Sequence, residues 1–412
     1  YNSKNEDFKK PFGAVSNAQE VTFSIHVARN ENPTGVTFVY RMDNSQSPIY
    51  INMQKAGEYD NYFIYSCQVT FHKADLYFYR FEIITPHGIK SIGLKDGYAE
   101  IEDWLPEWQI TVYDSNFTTP DWAKGGIMYQ IFPDRFYRSN KFAPLPSKNV
   151  RTIHENWYDI PDFIYDNPNY KGNDYFCGNI MGITEKLDYI KDLNVNIIYL
   201  NPIFESPEYH RYSTADYMNV DPYFGTNELF KEFTKKCDEL GIKVILDGVF
   251  SHTGADSIYF NKYGNYDSVG AYNSTESPYY NWYNFINYPG EYECWWGFGN
   301  LPNVKETNPE YLEYITGKDG VIEHWQNLGC NGWRLDVADE LPDEFLDSLY
   351  KCAKSVDKNC FIIGEVWEDA SNQDGLRPET LELTLNGLPE GTTAPTPTVT
   401  KSTDGNSWTY TW

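Results

Sequence analysis

The first 118 residues alternate between apolar and polar positions with a period of two. Apolar side chains recur at every second position in two clear runs: Val21, Phe23, Ile25 and Val27, then Tyr77, Tyr79, Phe81 and Ile83. Such alternation is typical of strands with one buried face, and Gly, Pro, Asn and Asp lie between the runs. Several short strands without a helical pattern predict a β-sandwich over residues 1–118. Its simplest role is a packing module beside a larger domain, and the alternative is a carbohydrate-binding module.

From Gly125 onward, short apolar runs alternate with amphipathic stretches of helical period. The apolar runs are Ile127–Phe132, Asn196–Leu200, Lys243–Leu246, Gly332–Leu335 and Phe361–Gly364. The helical stretches are Glu185–Leu193, Asn227–Leu240, Pro309–Leu328 and Pro342–Val356. This alternation predicts an α/β fold, a (β/α)8-type TIM barrel over residues 125–365 with an irregular insertion at 253–307. No Gly-rich phosphate loop follows the first run, which disfavours an open doubly wound sheet.

The pattern changes again after Glu365, where too few residues remain for three more β/α units of roughly 30 residues each. Pro395 and Pro397 exclude a helix around them, and the segments 381–385 and 408–412 have strand character. Residues 366–412 are therefore predicted as a β-rich tail, and the barrel as truncated after its fifth strand. Such a barrel has two open sheet edges. On this interpretation the chain folds marginally and hydrolyses little or nothing.

Composition narrows the classes of partner. The chain has 412 residues, of which 59 are acidic and 33 are basic, so its net charge is −26. This negative charge repels nucleic acids and anionic membranes. No apolar run approaches the roughly 18–20 residues that span a bilayer. The 7 cysteines are scattered without a C-x-x-C pair and are interpreted as buried apolar side chains. The aromatic content of 17% suits a protein that stacks on sugars.

Candidate chemistry lies where the predicted strands end. Arg334 and Asp336 are two positions apart, so they project from the same side of their strand. A neighbouring guanidinium is expected to lower the pKa of Asp336 and keep this carboxylate ionised, as a glycosidic nucleophile must be. The alternative is a structural ion pair.

Glu365 follows the fifth apolar run and is close in sequence to Trp367. An aromatic neighbour that removes water is expected to raise the pKa of this carboxyl and keep it protonated as a general acid. With Asp336 it would form the carboxyl pair of a retaining glycosidase, which requires a separation of about 5–5.5 Å. The alternative is a chance coincidence of two acidic strand ends.

Four further residues are candidates for substrate binding. Asp247 ends an apolar strand and is predicted to hold Arg334 by a bidentate bond. His252 is predicted to donate a hydrogen bond to a sugar hydroxyl, and Tyr212, beside His210, to offer a ring face to a sugar. The alternatives are that the Asp caps a turn, that the His makes its hydrogen bonds with nearby protein groups, and that the Tyr only packs against other protein side chains.

Seven segments occur in a characteristic order: GIMYQIFPDRF, YLNPIF, HRYSTADYMNVDPYFGT, DGVFSHTG, WWGFGNLPNV, GWRLDVADE and GEVW. With this order, residues 125–369 resemble the alpha-amylase superfamily of glycoside hydrolases, especially its neopullulanase, cyclomaltodextrinase and amylopullulanase members. The region before them is similar to the N-terminal β-sandwich of the neopullulanase group.

This resemblance implies a retaining glycoside hydrolase that acts on α-glucosidic bonds of starch, pullulan or related poly- and oligosaccharides. By this resemblance, Asp336 is the nucleophile, Glu365 is the acid/base, and Arg334 supports the nucleophile. His210 and His252 bind the first sugar, and Tyr212 stacks on it. A non-catalytic starch-binding or cell-surface carbohydrate-binding protein is the alternative from another class. The sequence does not choose between α-1,4 and α-1,6 bonds, and a homodimer is left open.

The chain departs from the family at several positions. Ser251 stands where the family usually has Asn before the His, and Asn179 replaces an Asp of the family's calcium segment. No cofactor is therefore expected to be required, and structural calcium is disfavoured. The family's further catalytic carboxylate after the seventh strand has no counterpart, because from Val366 the chain resembles a fragment of a collagen-adhesin B-type repeat. That tail and the substrate's size suggest an extracellular or cell-surface location.

Overall fold

The structure, a computed structural model, describes residues 1–43, 45–95, 98–101, 105–161, 172–367, 398–401 and 408–411. These residues form two compact units. One contains Tyr1–Ser115 and the described strands after residue 367, and the other contains Asn116–Trp367.

Within Tyr1–Ser115, the described residues form ten strands in one connected sheet. They are β1 Lys9–Lys10, β2 Val15–Ser16, β3 Glu20–Ala28, β4 Gly35–Met42, β5 Ile49–Tyr59, β6 Tyr62–Thr70, β7 Asp75–Thr85, β8 Gly88–Lys95, β9 Tyr98–Ile101 and β10 Trp108–Tyr113. The strand order is β1-β3-β6-β5-β4-β7-β10-β2, and β8 joins β7 to β9. The pairs are antiparallel apart from the parallel pair β10–β2.

Strand β5 connects two layers of this sheet, because its first half pairs with β4 and its second half with β6. The layers share one apolar core, in which the rings of Phe23 on β3 and Phe38 on β4 stack with centroids 4.3 Å apart. The alternating residues of β3 that predicted a strand are all buried. Tyr1–Ser115 is therefore a mainly antiparallel sheet domain, and its classification as a β-sandwich stays a prediction.

The second unit alternates strands and helices. Its strands are β11 Met128–Ile131, β12 Thr152–Ile153, β13 Asp174–Tyr175, β14 Ile197–Leu200, β15 Phe204–Glu205, β16 Asp216–Val220, β17 Lys243–Gly248, β18 Phe285–Asn287, β19 Glu291–Tyr292, β20 Gly332–Leu335 and β21 Phe361–Gly364. Its α-helices are α1 Ile180–Glu185, α2 Leu187–Asp192, α3 Asn227–Glu239, α4 Pro309–Thr316, α5 Val321–Asn327 and α6 Asp343–Val356. Short 3-10 turns occur at Asp121–Ala123, Pro133–Arg135, Tyr280–Trp282 and Trp295–Gly297.

The five apolar runs predicted as strands form one parallel sheet in the order β11-β14-β17-β20-β21. Its central strand β17 is buried along almost its whole length, as expected for a parallel strand covered on both faces. Helix α3 packs Phe230, Phe233 and Cys237 into the core of this unit, and the Thr226 side chain caps its first turn. In a parallel sheet the carboxyl ends of the strands meet at one edge, which here carries the candidate residues.

Two details of the helices differ from the prediction. The stretch 309–328 is two helices, because the chain breaks at Gly317–Gly320, where Asp319 adopts a left-handed φ of 60°. Helix α1 was not predicted. It begins after Asn179, whose side-chain oxygen accepts a hydrogen bond from the Gly182 N–H.

The C-terminal tail is described only in two strands, β22 Thr398–Lys401 and β23 Trp408–Thr411, which pair antiparallel. They agree with the strand character predicted for 408–412. The predicted alternation at 381–385 and the expected end of the barrel after its fifth strand involve residues outside those described. Among the helices of the described chain, none is long and apolar enough to cross a bilayer.

Candidate active site

The candidate residues lie at the carboxyl ends of three neighbouring strands. Asp247 on β17 is in register with Arg334 on β20, and Glu365 follows β21, which pairs with β20. Asp336 comes directly after β20. These four side chains therefore lie at the same edge of the sheet, as expected from their positions at strand ends.

Arg334 joins the three carboxylates. Its Nη1 donates to Oδ1 of Asp247 at 2.8 Å and to Oδ1 of Asp336 at 2.6 Å. Its Nη2 lies 2.6 Å from Oε1 of Glu365. The predicted bidentate bond between Asp247 and Arg334 is wrong, because one guanidinium nitrogen is shared by two carboxylates and the other faces Glu365. Asp336 and Glu365 are consequently held by the same side chain.

The second oxygen of Asp247 is occupied by two phenols. Oδ2 accepts hydrogen bonds from Tyr199 at 2.5 Å and from Tyr212 at 2.9 Å. Asn201 in turn donates to the Tyr212 hydroxyl at 2.8 Å and accepts from Gln130 at 2.9 Å. Burial raises the pKa of Asp247, while the Arg334 charge opposes this rise. This network fixes the orientation of the Tyr212 ring that was predicted to stack on a sugar.

Tyr199 and Gln130 were not predicted as part of the site. The available signal was a polar group inside an apolar run: Tyr199 is flanked by aliphatic residues in β14, and Gln130 lies between Tyr129 and Ile131 in β11. They lie side by side in the register of β11 and β14. The sequence pattern alone does not show that they point toward Asp247.

The pKa of Asp336 is raised from 3.8 to about 7, which is opposite to the predicted direction. Burial of the carboxyl is the largest cause, and the negative charge of Asp247 is the second. Arg334 lowers this pKa by less, because its charge is shared with Asp247 and Glu365. A guanidinium two residues away is therefore insufficient to keep Asp336 ionised at neutral pH in this site.

The expected shielding of Glu365 by Trp367 is also wrong. The Trp367 side chain points away from the protein interior and is 76% exposed. The Glu365 side chain is 29% exposed, and its Oε2 accepts the Val337 N–H at 3.3 Å. Its polar surroundings are thus Arg334 and a backbone amide.

The two candidate histidines both contact the backbone of Tyr212. Nε2 of His252 lies 3.2 Å from the Tyr212 carbonyl oxygen, and its Nδ1 lies 2.9 Å from the Ser251 hydroxyl. Because a carbonyl only accepts, Nε2 carries the proton and Nδ1 accepts from Ser251. Burial lowers the pKa of His252 to about 4. The Tyr212 N–H donates to Nδ1 of His210 at 3.1 Å.

His210 is held by the half-buried carboxylate of Glu208. Its Nε2 lies 3.3 Å from Oε2 of Glu208, and Asn300 donates to the other oxygen of Glu208 at 3.0 Å. His210 lowers the pKa of Glu208 against the opposing effect of burial. The structure therefore brings all seven predicted site residues together, although both histidines hydrogen-bond to the protein itself.

The Asn179 position offers no carboxylate to a cation. Its Nδ2 donates to the carbonyl oxygens of Ser139 and Cys177, each at 3.2 Å, and its oxygen caps helix α1. Over the described ranges, no group of three or more His, Cys, Asp or Glu side chains could hold a metal ion. That calcium is not required stays a prediction.

Residues 130–385, more than half of the chain, match the family described as alpha amylase, catalytic domain. The chain belongs to this alpha-amylase family. Membership implies a TIM barrel, and the five parallel strands β11, β14, β17, β20 and β21 are part of one. The match ends at residue 385, beyond residue 369, the end of the stretch that was expected to resemble the family.

Relatives and solved structures agree with this assignment. The chain is 39% identical over 409 residues to an amylopullulanase of Thermoanaerobacterium thermosulfurigenes, covering 88% of this chain and 21% of that protein. It is 35% identical to a cyclomaltodextrinase of Thermoanaerobacter pseudethanolicus, covering 62% of this chain and 42% of that protein. The type III pullulan hydrolase from Thermococcus kodakarensis has a similar structure, with a TM-score of 0.54, 26% identity and coverage of 89% and 61%.

This alpha-amylase family member thus spans less than half the length of these two curated relatives. The shared region includes an N-terminal antiparallel sheet domain before the barrel. The family match and the relatives show an α-glucan hydrolase family.

Proposed function

We propose that this site cleaves α-glucosidic bonds of starch, pullulan or related glucans with retention, using Asp336 as nucleophile and Glu365 as acid/base. The observation that carries the proposal is that the carboxyls of Asp336 and Glu365 both pair with the Arg334 guanidinium, at the ends of adjacent strands. The names of the relatives, amylopullulanase and cyclomaltodextrinase, support this substrate class. A polymeric substrate favours an extracellular or cell-surface location.

The reaction takes place in two displacements. In the first, ionised Asp336 attacks the anomeric carbon while Glu365 transfers its proton to the glycosidic oxygen, so that a glycosyl ester forms and the leaving sugar departs. In the second, Glu365 takes a proton from water, and the resulting hydroxide oxygen attacks the same carbon and releases Asp336. Two inversions at one carbon give net retention.

The raised pKa of Asp336 opposes the ionised form that this reaction needs. Because the pKa of Asp336 is about 7, this residue is substantially protonated near neutrality, while Glu365 lies against the Arg334 guanidinium. We propose that Asp336 loses its proton when substrate binds and remains paired with Arg334, while Glu365 turns from Arg334 to the glycosidic oxygen. Arg334 is already bonded to Asp336 and Asp247, so it stabilises the nucleophile throughout.

The sugar in the site would contact Tyr212 and the two histidines. The Tyr212 ring is held by its hydroxyl at Asp247 and by its backbone at His210 and His252. Since Nε2 of His252 carries the proton, a sugar hydroxyl can replace the Tyr212 carbonyl as its acceptor without a change of tautomer. Neutral His252 then donates to the sugar at every pH well above 4.

An activated donor tests this function directly. With α-maltosyl fluoride the leaving group needs little help from an acid, so a fluoride electrode reports the attack by Asp336 even where turnover is slow. We expect a burst of about one fluoride per chain from the unaltered chain and from Glu365→Gln, and none from Asp336→Asn. The matched control, Asp347→Asn, changes an exposed carboxyl on α6 and should leave the burst unchanged.

The competing function is a starch-binding protein without catalysis. Affinity electrophoresis in amylopectin, run on the same samples, separates the two. Retardation in the gel without any fluoride burst would contradict the proposed hydrolysis and support the binding protein. A burst that persists in Asp336→Asn would contradict the assignment of the nucleophile.

A further inference from the structure

Three carboxyls share one positive charge at the candidate active site. Asp247, Asp336 and Glu365 all pair with the Arg334 guanidinium, so three negative charges face one positive charge when every carboxyl is ionised. Because like charges in a buried site repel each other, one carboxyl of such a group keeps a proton to a higher pH than the others. The hydrogen-bond donors around each carboxyl decide which of them keeps it.

Asp247 is the carboxyl that receives the most donors. Its Oδ1 accepts from Arg334 at 2.8 Å, and its Oδ2 accepts from Tyr199 at 2.5 Å and from Tyr212 at 2.9 Å. Within the described residues, the side chain of Asp336 accepts from Arg334 alone. Burial raises the pKa of Asp247, and the Arg334 charge and then the Tyr199 hydrogen bond oppose this rise. These donors favour a charged Asp247 and leave the shared proton to Asp336.

The sheet itself places Tyr199 beside Asp247. Tyr199 lies on β14 in register with Ile245 on β17, and Asp247 is two positions farther along β17, on the same face. Tyr199 is 8% exposed and packs with Ile197 and Ile245. Burial and the charge of Asp247 raise the pKa of Tyr199 above its ordinary value, so its hydroxyl remains a donor at neutral pH. The position of this donor is therefore fixed by two paired strands.

Two other ionisable side chains face the same carboxyls. Glu365, which follows β21, pairs with Arg334 and adds to the rise in the pKa of Asp336. Tyr212, from the segment between β15 and β16, donates to the same oxygen of Asp247 as Tyr199 does. Because Tyr212 is assigned to contact the sugar, a change there would alter binding as well. Tyr199 is thus the donor whose removal isolates the effect on the carboxyls.

We propose that Tyr199 is a positioning residue for the nucleophile: its hydroxyl keeps Asp247 charged and thereby places the shared proton on Asp336 in the free chain. Asp336 must lose this proton before it can attack, so Tyr199 sets the lowest pH at which the free site is ready to react. This inference rests on the proposed role of Asp336 as nucleophile. It adds control of that residue by a phenol on another strand.

The test is the pH dependence of the attack by Asp336. Fluoride release from α-maltosyl fluoride, measured below saturation from pH 4 to pH 8, reports ionisation in the free chain. We expect the rate constant of the unaltered chain to rise with a midpoint at about pH 7. In Tyr199→Phe, Asp247 can take the proton at its Oδ2, and loss of this neighbouring negative charge should lower the midpoint by at least about one pH unit. A midpoint that stays the same or rises would overturn the proposal.

The matched control is Tyr189→Phe, the same substitution at an exposed position of α2, which should leave the midpoint unchanged. A merely structural role of Tyr199 would lower the rate or the stability without moving the midpoint. NMR spectra of chains labelled with ¹³C at the aspartate carboxyls give a second measurement that needs no turnover. The Asp336 signal, identified by its absence in Asp336→Asn, should titrate at lower pH in Tyr199→Phe. Equal titration midpoints in this variant and the unaltered chain would refute the positioning role.

Failure of this inference can be distinguished from failure of the proposed function. If the unaltered chain releases no fluoride, the hydrolytic function is contradicted, and the NMR titration still decides whether Tyr199 places the proton. If fluoride is released and Tyr199→Phe moves neither midpoint, only the role of Tyr199 is contradicted. Far-UV circular dichroism of each variant verifies that the helices remain folded.

Discussion

The raised pKa of Asp336 makes a prediction about stability. Replacement of Asp336 by Asn keeps the shape of the protonated carboxyl and removes its ability to ionise. The pKa is about 7 in the folded chain, against 3.8 as its ordinary value. An acid whose pKa is raised on folding binds its proton more tightly in the folded state. The stabilisation that the protonated Asp336 carboxyl gives to the folded state is therefore lost as the pH rises from about 4 to about 7.

The magnitude follows from the size of this shift. Each pKa unit corresponds to about 1.4 kcal/mol, so ionising Asp336 in the folded chain costs about 4 kcal/mol by pH 8. Asn forms a weaker hydrogen bond with Arg334 than a carboxylate does, which offsets part of the gain. We expect Asp336→Asn to raise the free energy of unfolding by about 2–4 kcal/mol at pH 8 and to change it little at pH 4.

Denaturation in urea, followed by circular dichroism at 222 nm from pH 4 to pH 8, measures this difference. All α-helices of the described chain lie in the unit Asn116–Trp367, so this signal reports the unit that contains Asp336. Asp347→Asn is the control, because its carboxyl is 74% exposed and its pair with Lys351 contributes little. A stability difference that does not change between pH 4 and pH 8, or a variant less stable than the unaltered chain at pH 8, would contradict this prediction.

Three further predictions concern the same unit. Arg334→Met leaves buried Asp247 without its guanidinium and should lower the free energy of unfolding by about 3–5 kcal/mol at pH 8 in urea denaturation. Lys351→Met removes one partner of an exposed ion pair and should change the free energy of unfolding by less than about 1 kcal/mol. Equal losses in Arg334→Met and Lys351→Met would contradict this prediction. Asp221→Asn removes the fully buried partner of two buried arginines and should lower the thermal midpoint well below that of Lys351→Met. The ring protons of His252 should titrate near pH 4 in NMR spectra, and a midpoint of 6–7 would show that its burial has been misjudged.

The strands and the location of the site could be predicted because both depend on local pattern. The apolar runs at 243–246 and 332–335 lie within strands β17 and β20, since a parallel strand covered on both faces needs continuous apolar residues. Once these strands pair in register, Asp247 and Arg334 are necessarily adjacent. The helix boundary inside 309–328 was missed, because glycine pairs such as Gly317 and Gly320 interrupt a helix without disturbing its apolar period.

The electrostatics of the site could not be predicted from residue order. The pKa of Asp336 depends on its burial and on the approach of Asp247 from another strand. The sequence shows only that Arg334 is two residues away, and this spacing indicates neither effect. Trp367 was expected to shield Glu365, but its side chain points to solvent. The hydrogen bond from Tyr199 to Asp247 joins segments far apart in the chain, so no spacing rule indicated it.

The proposed role of Asp336 as nucleophile is tested most directly by identifying the residue that bonds to the sugar. The chain carrying Glu365→Gln would be treated with α-maltosyl fluoride, quenched in acid, digested and analysed by mass spectrometry. We expect one maltosyl adduct per chain on the peptide containing residues 332–340, with fragmentation placing it on Asp336. An adduct on another residue, or no adduct under conditions where fluoride is released, would contradict it.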